Sequence, residues 1–310
     1  MRGQVRSNVF ASVRHVAVLA GAVTSLSAGV ANGSIIFSDG FGTDTHPGGA
    51  LNSPSHGVNS SGFNVFTRYA TGGTVVIGND TPLASAVLNI ADTDGTAATA
   101  FPVILNFPHR LTISNVGEQI SLSFRFRYIN NTSSANANNF RFGLFGNNGT
   151  PVTDNGQIAS ADDFGYYAAI GSGGSTPANN SVLFRENGGT DPILGGTDRV
   201  NLSVTDATGT GLNDNNVHTA LLTLTRASAT SVSVSLSLDG GPAYTSTDTG
   251  AAPGSIRTSF DSIGFGNGFT TTGLQYAIDD VVVTGVPEPT ALGLAAVGLA
   301  GGLLRRRKRA

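Results

Sequence analysis

The 310-residue chain contains no cysteine and no tryptophan, and its only lysine is Lys308. Without thiols there is no disulfide frame, no thiolate zinc site and no cysteine nucleophile. Glutamate is almost as scarce. Only Glu118, Glu186 and Glu288 occur, no two of them close in sequence, so nothing selects a carboxylate pair for acid–base work. Neither a Gly-x-Ser-x-Gly nucleophile turn nor a His-Glu-x-x-His metal helix is present. Between the two ends of the chain no segment keeps a helical period, and no internal repeat is visible. Charged residues make up only 12%, while Gly, Ser, Thr and Asn are abundant, which suits a β protein with many turns.

The charge that exists is unevenly placed. Arg2, Arg6 and Arg14 precede the first carboxylate, and Arg305–Arg309 follow the last. All 20 acidic residues, counting Glu288, lie between these clusters and face nine arginines there, so the processed chain is far more acidic than the formal net charge of −3. An acidic surface argues against nucleic acid and anionic membrane surfaces as partners.

Both ends carry apolar stretches. After the three arginines, Val16 to Val30 is interrupted only by small or hydroxyl residues and is followed by Ala31 and Gly33. This layout predicts a secretory signal peptide over 1–33 with cleavage near Ala31. Without an adjacent Arg pair, the Sec translocon and signal peptidase are the expected route. At the other end, Pro287-Glu288-Pro289 precedes Ala291–Leu304, which has no charge, and then Arg305-Arg306-Arg307-Lys308-Arg309. The prolines can continue neither a helix nor a ladder. As a helix the apolar segment would be about 21 Å long, at roughly 1.5 Å per residue, against a hydrocarbon core of roughly 30 Å. Snorkelling arginines and local thinning close that gap. The basic cluster should remain cytoplasmic, which places the body of the chain on the far side of the inner membrane.

This three-part tail resembles the PEP-CTERM sorting signal. The resemblance covers about residues 286–310 and rests on Pro287, Glu288 and Pro289, the apolar segment and the stop at Arg305, Arg306, Arg307, Lys308 and Arg309. It implies recognition and cleavage by an exosortase, a membrane enzyme similar to a cysteine transpeptidase, and association with exopolysaccharide or surface layers.

The middle, residues 34–285, reads as strands. Along Gln119–Ile129, Ile120, Leu122, Phe124, Phe126 and Tyr128 alternate with Ser121, Ser123, Arg125 and Arg127. Strict alternation puts one face on a core and the other in polar surroundings. Thr219–Arg226 and Ser231–Leu238 alternate likewise, and Asp239-Gly240-Gly241 predicts a hairpin into Ala243–Thr247. Further strands are expected at 34–38, 63–67, 74–77, 86–90, 140–145, 165–170, 181–185, 200–204, 259–265 and 276–284. The predicted fold is all-β, an antiparallel sandwich or jelly roll. The order of Phe37-Ser38-Asp39-Gly40-Phe41, Asp163-Phe164-Gly165-Tyr166-Tyr167 and Ile278-Asp279-Asp280-Val281 is similar to the concanavalin A-like, or laminin-G-like, jelly roll of secreted PEP-CTERM proteins. That resemblance implies pairing of the first and last strands. A galactose-binding-like jelly roll shares the sheet-on-sheet layout. Glycoside hydrolases on the first fold carry a Glu-x-Asp-x-x-Glu strand, which is absent here.

Few residues offer a site. Asp92-Thr93-Asp94-Gly95 spaces oxygen ligands as a calcium loop would, but without a downstream glutamate; a polar turn between strands is the favoured account. Asp92 and Asp94 are the metal candidates, Ca2+ the one cofactor left open. His46 and His56 share a loop with Asp44 and lack a third ligand. Without tryptophan, sugar stacking falls to Tyr166 and Tyr167, then Tyr244 and Phe269. In Ile278-Asp279-Asp280-Val281 one aspartate should cap backbone. The resulting expectation is an exported, non-catalytic surface or matrix protein, trimmed by an exosortase. The alternatives are a secreted carbohydrate-active enzyme and a calcium-dependent lectin-like module.

Overall fold

The computed structural model describes residues 34–41, 49–50, 65–67, 73–83, 85–92, 103–130, 140–146, 163–171, 182–189, 194, 199–202, 212, 214–251, 254–267 and 275–285. The chain divides into two compact units, Met1–Ala31 and Asn32–Ala310, and every described residue belongs to the second. The predicted signal helix and C-terminal membrane helix lie outside the described residues. Among the described residues no helix is long and apolar enough to cross a membrane.

The described body is all-β, with every strand pair antiparallel. In chain order the strands are β1 (Ser34–Asp39), β2 (Gly49–Ala50), β3 (Val65–Thr67), β4 (Gly73–Asp80), β5 (Ser85–Asp92), β6 (Val103–Thr112), β7 (Gln119–Asn130) and β8 (Phe140–Gly146). They continue with β9 (Phe164–Ile170), β10 (Val182–Gly188), β11 (Val200–Asn201), β12 (His218–Ser228), β13 (Ser231–Leu238), β14 (Tyr244–Asp248), β15 (Ser259–Asn267) and β16 (Gln275–Gly285). The larger sheet runs β14-β13-β12-β7-β16-β5-β4-β2, with β1 also on β16; the smaller runs β11-β10-β9-β8-β15-β6-β3. Their inner faces form one core, in which Phe124 touches Phe142 and Phe265 edge-on across the sheets. This is the expected antiparallel sandwich of jelly-roll type. The first and last strands pair as the resemblance implied, Ser34 opposite Gly285 and Asp39 opposite Val281.

β7 follows its sequence pattern: Ile120, Leu122, Phe124, Phe126 and Tyr128 are buried, and the intervening Ser121, Ser123, Arg125 and Arg127 are half-buried on the outer face. Asp239 and Gly240 both adopt positive φ and turn β13 into β14. Two strands escape the sequence reading. β2 is only two residues long. β6 contains Pro108, which lacks the N–H that a ladder needs. The fold absorbs it in a bulge, because Asn106 faces Ser262 and Leu111 faces Phe260, leaving residues 107–110 opposite Asp261 alone.

Candidate functional site

The larger sheet presents a groove of about 700 Å³ on its outer face. One rung of side chains crosses five strands there. Ser38 on β1 faces Val282 on β16, Val282 faces Ser123 on β7, Ser123 faces Leu221 on β12, and Leu221 faces Ser237 on β13. At about 4.8 Å per strand the rung is roughly 19 Å long. Along it serines alternate with the aliphatic Val282 and Leu221, the latter 44% exposed, and Thr219 adds a further hydroxyl. The one aromatic residue in the lining, Phe124, points its ring into the core and is 2% exposed.

Each rim of the groove is built on carboxylates. On one side Arg125 contacts Asp279 (2.7 Å), Asp280 (2.7 Å) and the Leu83 carbonyl (3.2 Å). Asp279 is fully buried and also accepts a hydrogen bond from the Asp280 N–H, which is the structural role expected for one of this aspartate pair. The bulge in β16 that exposes Asp280 takes a left-handed backbone there (φ 49°), as does Phe41 just after β1 (φ 51°). The Phe41 N–H is held by Asp39 Oδ1. Asp239 also has positive φ, as the Asp-Gly hairpin turn between β13 and β14 requires. On the opposite rim Asp239 accepts from the Thr219 N–H (2.7 Å) and pairs with His218 Nδ1 (2.8 Å), while His218 Nε2 pairs with Asp214 (2.7 Å). Burial pushes the Asp214 carboxyl up, but hydrogen bonds from His218 and from Asn216 outweigh it and hold the group below its usual range.

A second polar cluster lies between the sheets at one edge. Tyr166 on β9 donates to Asp248 on β14 (2.6 Å) and accepts from the Arg257 N–H (2.9 Å). Arg257 Nε donates to Glu186 on β10 (3.0 Å), and its guanidinium lies 4.1 Å from the centre of the Phe164 ring. Burial, then the nearby Asp248 charge, push Glu186 up to about 7 against the pull of Arg257. Burial and Asp248 also raise the Tyr166 phenol well above its ordinary value. Glu186 and Tyr166 are 0% exposed and Asp248 3%, so this cluster joins β9, β10 and β14 rather than opening to a substrate.

That burial corrects the sugar-stacking expectation. Tyr166 and Tyr167 are both 0% exposed, and a ring with both faces packed cannot stack on a pyranose. Tyr167 packs against Ile104, Phe145 and Leu194 on the outer side of the smaller sheet. Of the metal candidates, Asp92 ends β5 opposite Gly73; its side chain and all of Asp94 lie outside the described residues. So do His46 and His56, the sorting motif Pro287, Glu288 and Pro289, and the stop at Arg305, Arg306, Arg307, Lys308 and Arg309. Among the described residues no three His, Asp or Glu side chains are grouped to hold a metal. The groove itself was not foreseen. Its lining comes from strands far apart in sequence, and only the outward residues of β7, β12 and β13 were legible in advance.

The PEP-CTERM protein-sorting motif matches residues 285–308, starting at the last residue of β16. The chain therefore carries the C-terminal sorting signal of an exported protein, with an exosortase as the processing partner implied by that motif. No curated protein matches the chain. Similar solved structures include a protein of unknown function with a galectin-like fold from Bacillus subtilis, at 13% identity and TM-score 0.44, covering 83% of this chain and 99% of that one. Another is the metal-free lectin I-B4 of Griffonia simplicifolia, at 12% identity and TM-score 0.42, covering 73% and 94%. An endo-β-1,4-glucuronan lyase from Trichoderma reesei is similar at 15% identity and TM-score 0.44, covering 81% and 95%.

Proposed function

We propose that this protein is exported through the Sec translocon and held in the inner membrane by its C-terminal segment. An exosortase then trims it, leaving a non-catalytic surface or matrix protein associated with extracellular polysaccharide. The observation that carries this reading is the sorting motif over residues 285–308, which begins where the last strand of the sandwich ends. The groove supports the polysaccharide part. Hydroxyls from Ser38, Ser123, Thr219 and Ser237 exchange hydrogen bonds with a polyol, and Leu221 and Val282, on either side of Ser123, offer aliphatic surface for the sugar C–H faces. Among the described residues no exposed aromatic stands beside the rim carboxylates of this groove, which speaks for binding without cleavage. Calcium enters this reading at no named ligand.

The test is to replace Pro287, Glu288 and Pro289 together with alanine and fractionate the producing cells. The reading expects uncleaved chain to accumulate in the inner membrane and surface protein to fall. Normal surface levels of correctly trimmed protein would contradict it.

A further inference from the structure

The first strand of the sandwich begins beside the end of the last. Ser34, the first residue of β1, lies directly opposite Gly285, the last residue of β16. The apolar run 16–30 ends shortly before Ser34, and Ala291 begins six residues after Gly285. Six extended residues reach at most about 20 Å, and two of them are prolines that stiffen the link. Gly285 also faces Ile120 near the start of β7, so the turn over residues 114–118 projects at this same end.

That end displays the two most exposed large hydrophobic residues among those described, Ile35 at 67% and Val116 at 65%. Val116 stands at the tip of a firmly built turn. Glu118 accepts hydrogen bonds from the Ser114 and Asn115 N–H groups (2.6 and 2.9 Å), Gly117 takes φ 92°, and the Gly117 N–H donates to the Arg226 carbonyl (2.8 Å). The local carboxylate is thus turned inward and the valine outward.

We propose that this end of the sandwich, through Ile35 and Val116, rests on the lipid bilayer for as long as the sorting segment is embedded. The inference rests on the membrane-anchored precursor of the proposed function. The occupant follows from the tether: a bilayer surface is within reach of no more than six residues, and an apolar tip suits the membrane interface. Two aliphatic side chains are too few to hold a domain on lipid unaided. The embedded tail supplies the high local concentration that makes the contact persist, so trimming the tail also releases the body.

The cysteine-free chain makes this directly testable. Val116→Cys and Ile35→Cys each introduce a unique site for an environment-sensitive fluorophore. Asn215→Cys serves as a control, because His218 pairs with Phe126, seven residues and roughly 23 Å along β7 from Gln119. The labelled full-length proteins are reconstituted into vesicles of phosphatidylethanolamine and phosphatidylglycerol carrying spin-labelled lipid. The expected result is blue-shifted emission at positions 116 and 35, quenched several-fold more strongly than at 215. Co-flotation with the vesicles but equal, water-like emission at all three positions would overturn the docking while leaving the anchor intact. Failure to co-float would overturn the anchored precursor, and the docking with it.

Discussion

Two arginine–carboxylate arrangements in this sandwich carry opposite proton equilibria. On the outer face of the larger sheet, Arg127 gives Asp80 three guanidinium hydrogen bonds of 2.6–2.9 Å, and the Leu83 N–H adds a fourth at 3.2 Å. Burial pushes Asp80 up, but these donors outweigh it and the carboxyl sits below its ordinary value. At the edge of the smaller sheet, Glu186 receives one bond from Arg257, its buried Oε2 has no partner among the described residues, and Asp248 repels it. There burial wins. The number of donors reaching the carboxylate, rather than the presence of an arginine, decides which form the fold prefers.

The hardest blow to this contrast is Arg127→Met, which strands the Asp80 carboxylate, whose side chain is 5% exposed. Urea denaturation should register a loss of about 4 kcal/mol. Adding Asp80→Asn to that variant should restore part of it.

The next effect is in pH. Glu186 binds its proton more tightly folded than unfolded, so its contribution is fully present below pH 4.5 and is lost as pH rises to about 7. The span is worth up to about 3 kcal/mol. Asp80 has the opposite sign: its contribution is present above 3.8 and is lost as pH falls through its lowered folded value. Stability curves of the wild type and Glu186→Gln should therefore differ in slope between pH 4.5 and 7. Identical slopes would show that Asp248 and Arg257 do not hold Glu186 as described.

A third test contrasts the outer faces of the two sheets. A Cβ on Gly143 of β8 would meet the Tyr166 carbonyl at 2.3 Å and Tyr167 Cβ at 2.5 Å. Gly143→Ala should cost about 2 kcal/mol in thermal or urea unfolding. Ser123→Ala, in the open groove of the larger sheet, should change stability by less than about 0.5 kcal/mol. The smallest structural perturbation probes ligand contact: Leu221→Asp should leave unfolding within about 0.5 kcal/mol of wild type while markedly reducing retention on extracellular polysaccharide in a pull-down. Unchanged retention would remove the groove from the account.

Alternation made β7, β12 and β13 legible, because each has one face in the core and one in the groove. Phe164–Ile170 and Phe140–Gly146 lack alternation, and both are buried almost throughout. That missing period was the available sign that Tyr166 and Tyr167 both lie inside, and the sugar-stacking reading overlooked it. Pro108 hid β6, since a bulge that accommodates proline depends on the partner strand β15. The groove was illegible for a related reason: its rung requires the strand order β1-β16-β7-β12-β13, in which sequence neighbours are mostly not spatial neighbours. The sorting tail was the reverse case. Its order of proline pair, apolar run and basic stop is read directly along the chain.

The claim that the molecule is built for export and C-terminal trimming is met most directly by mass spectrometry of both termini of the protein recovered from the cell surface. The account predicts a mature chain that begins near Asn32 and has lost Arg305 through Arg309. Surface protein with that basic stretch intact, or soluble cytoplasmic protein still starting at Met1, would contradict it.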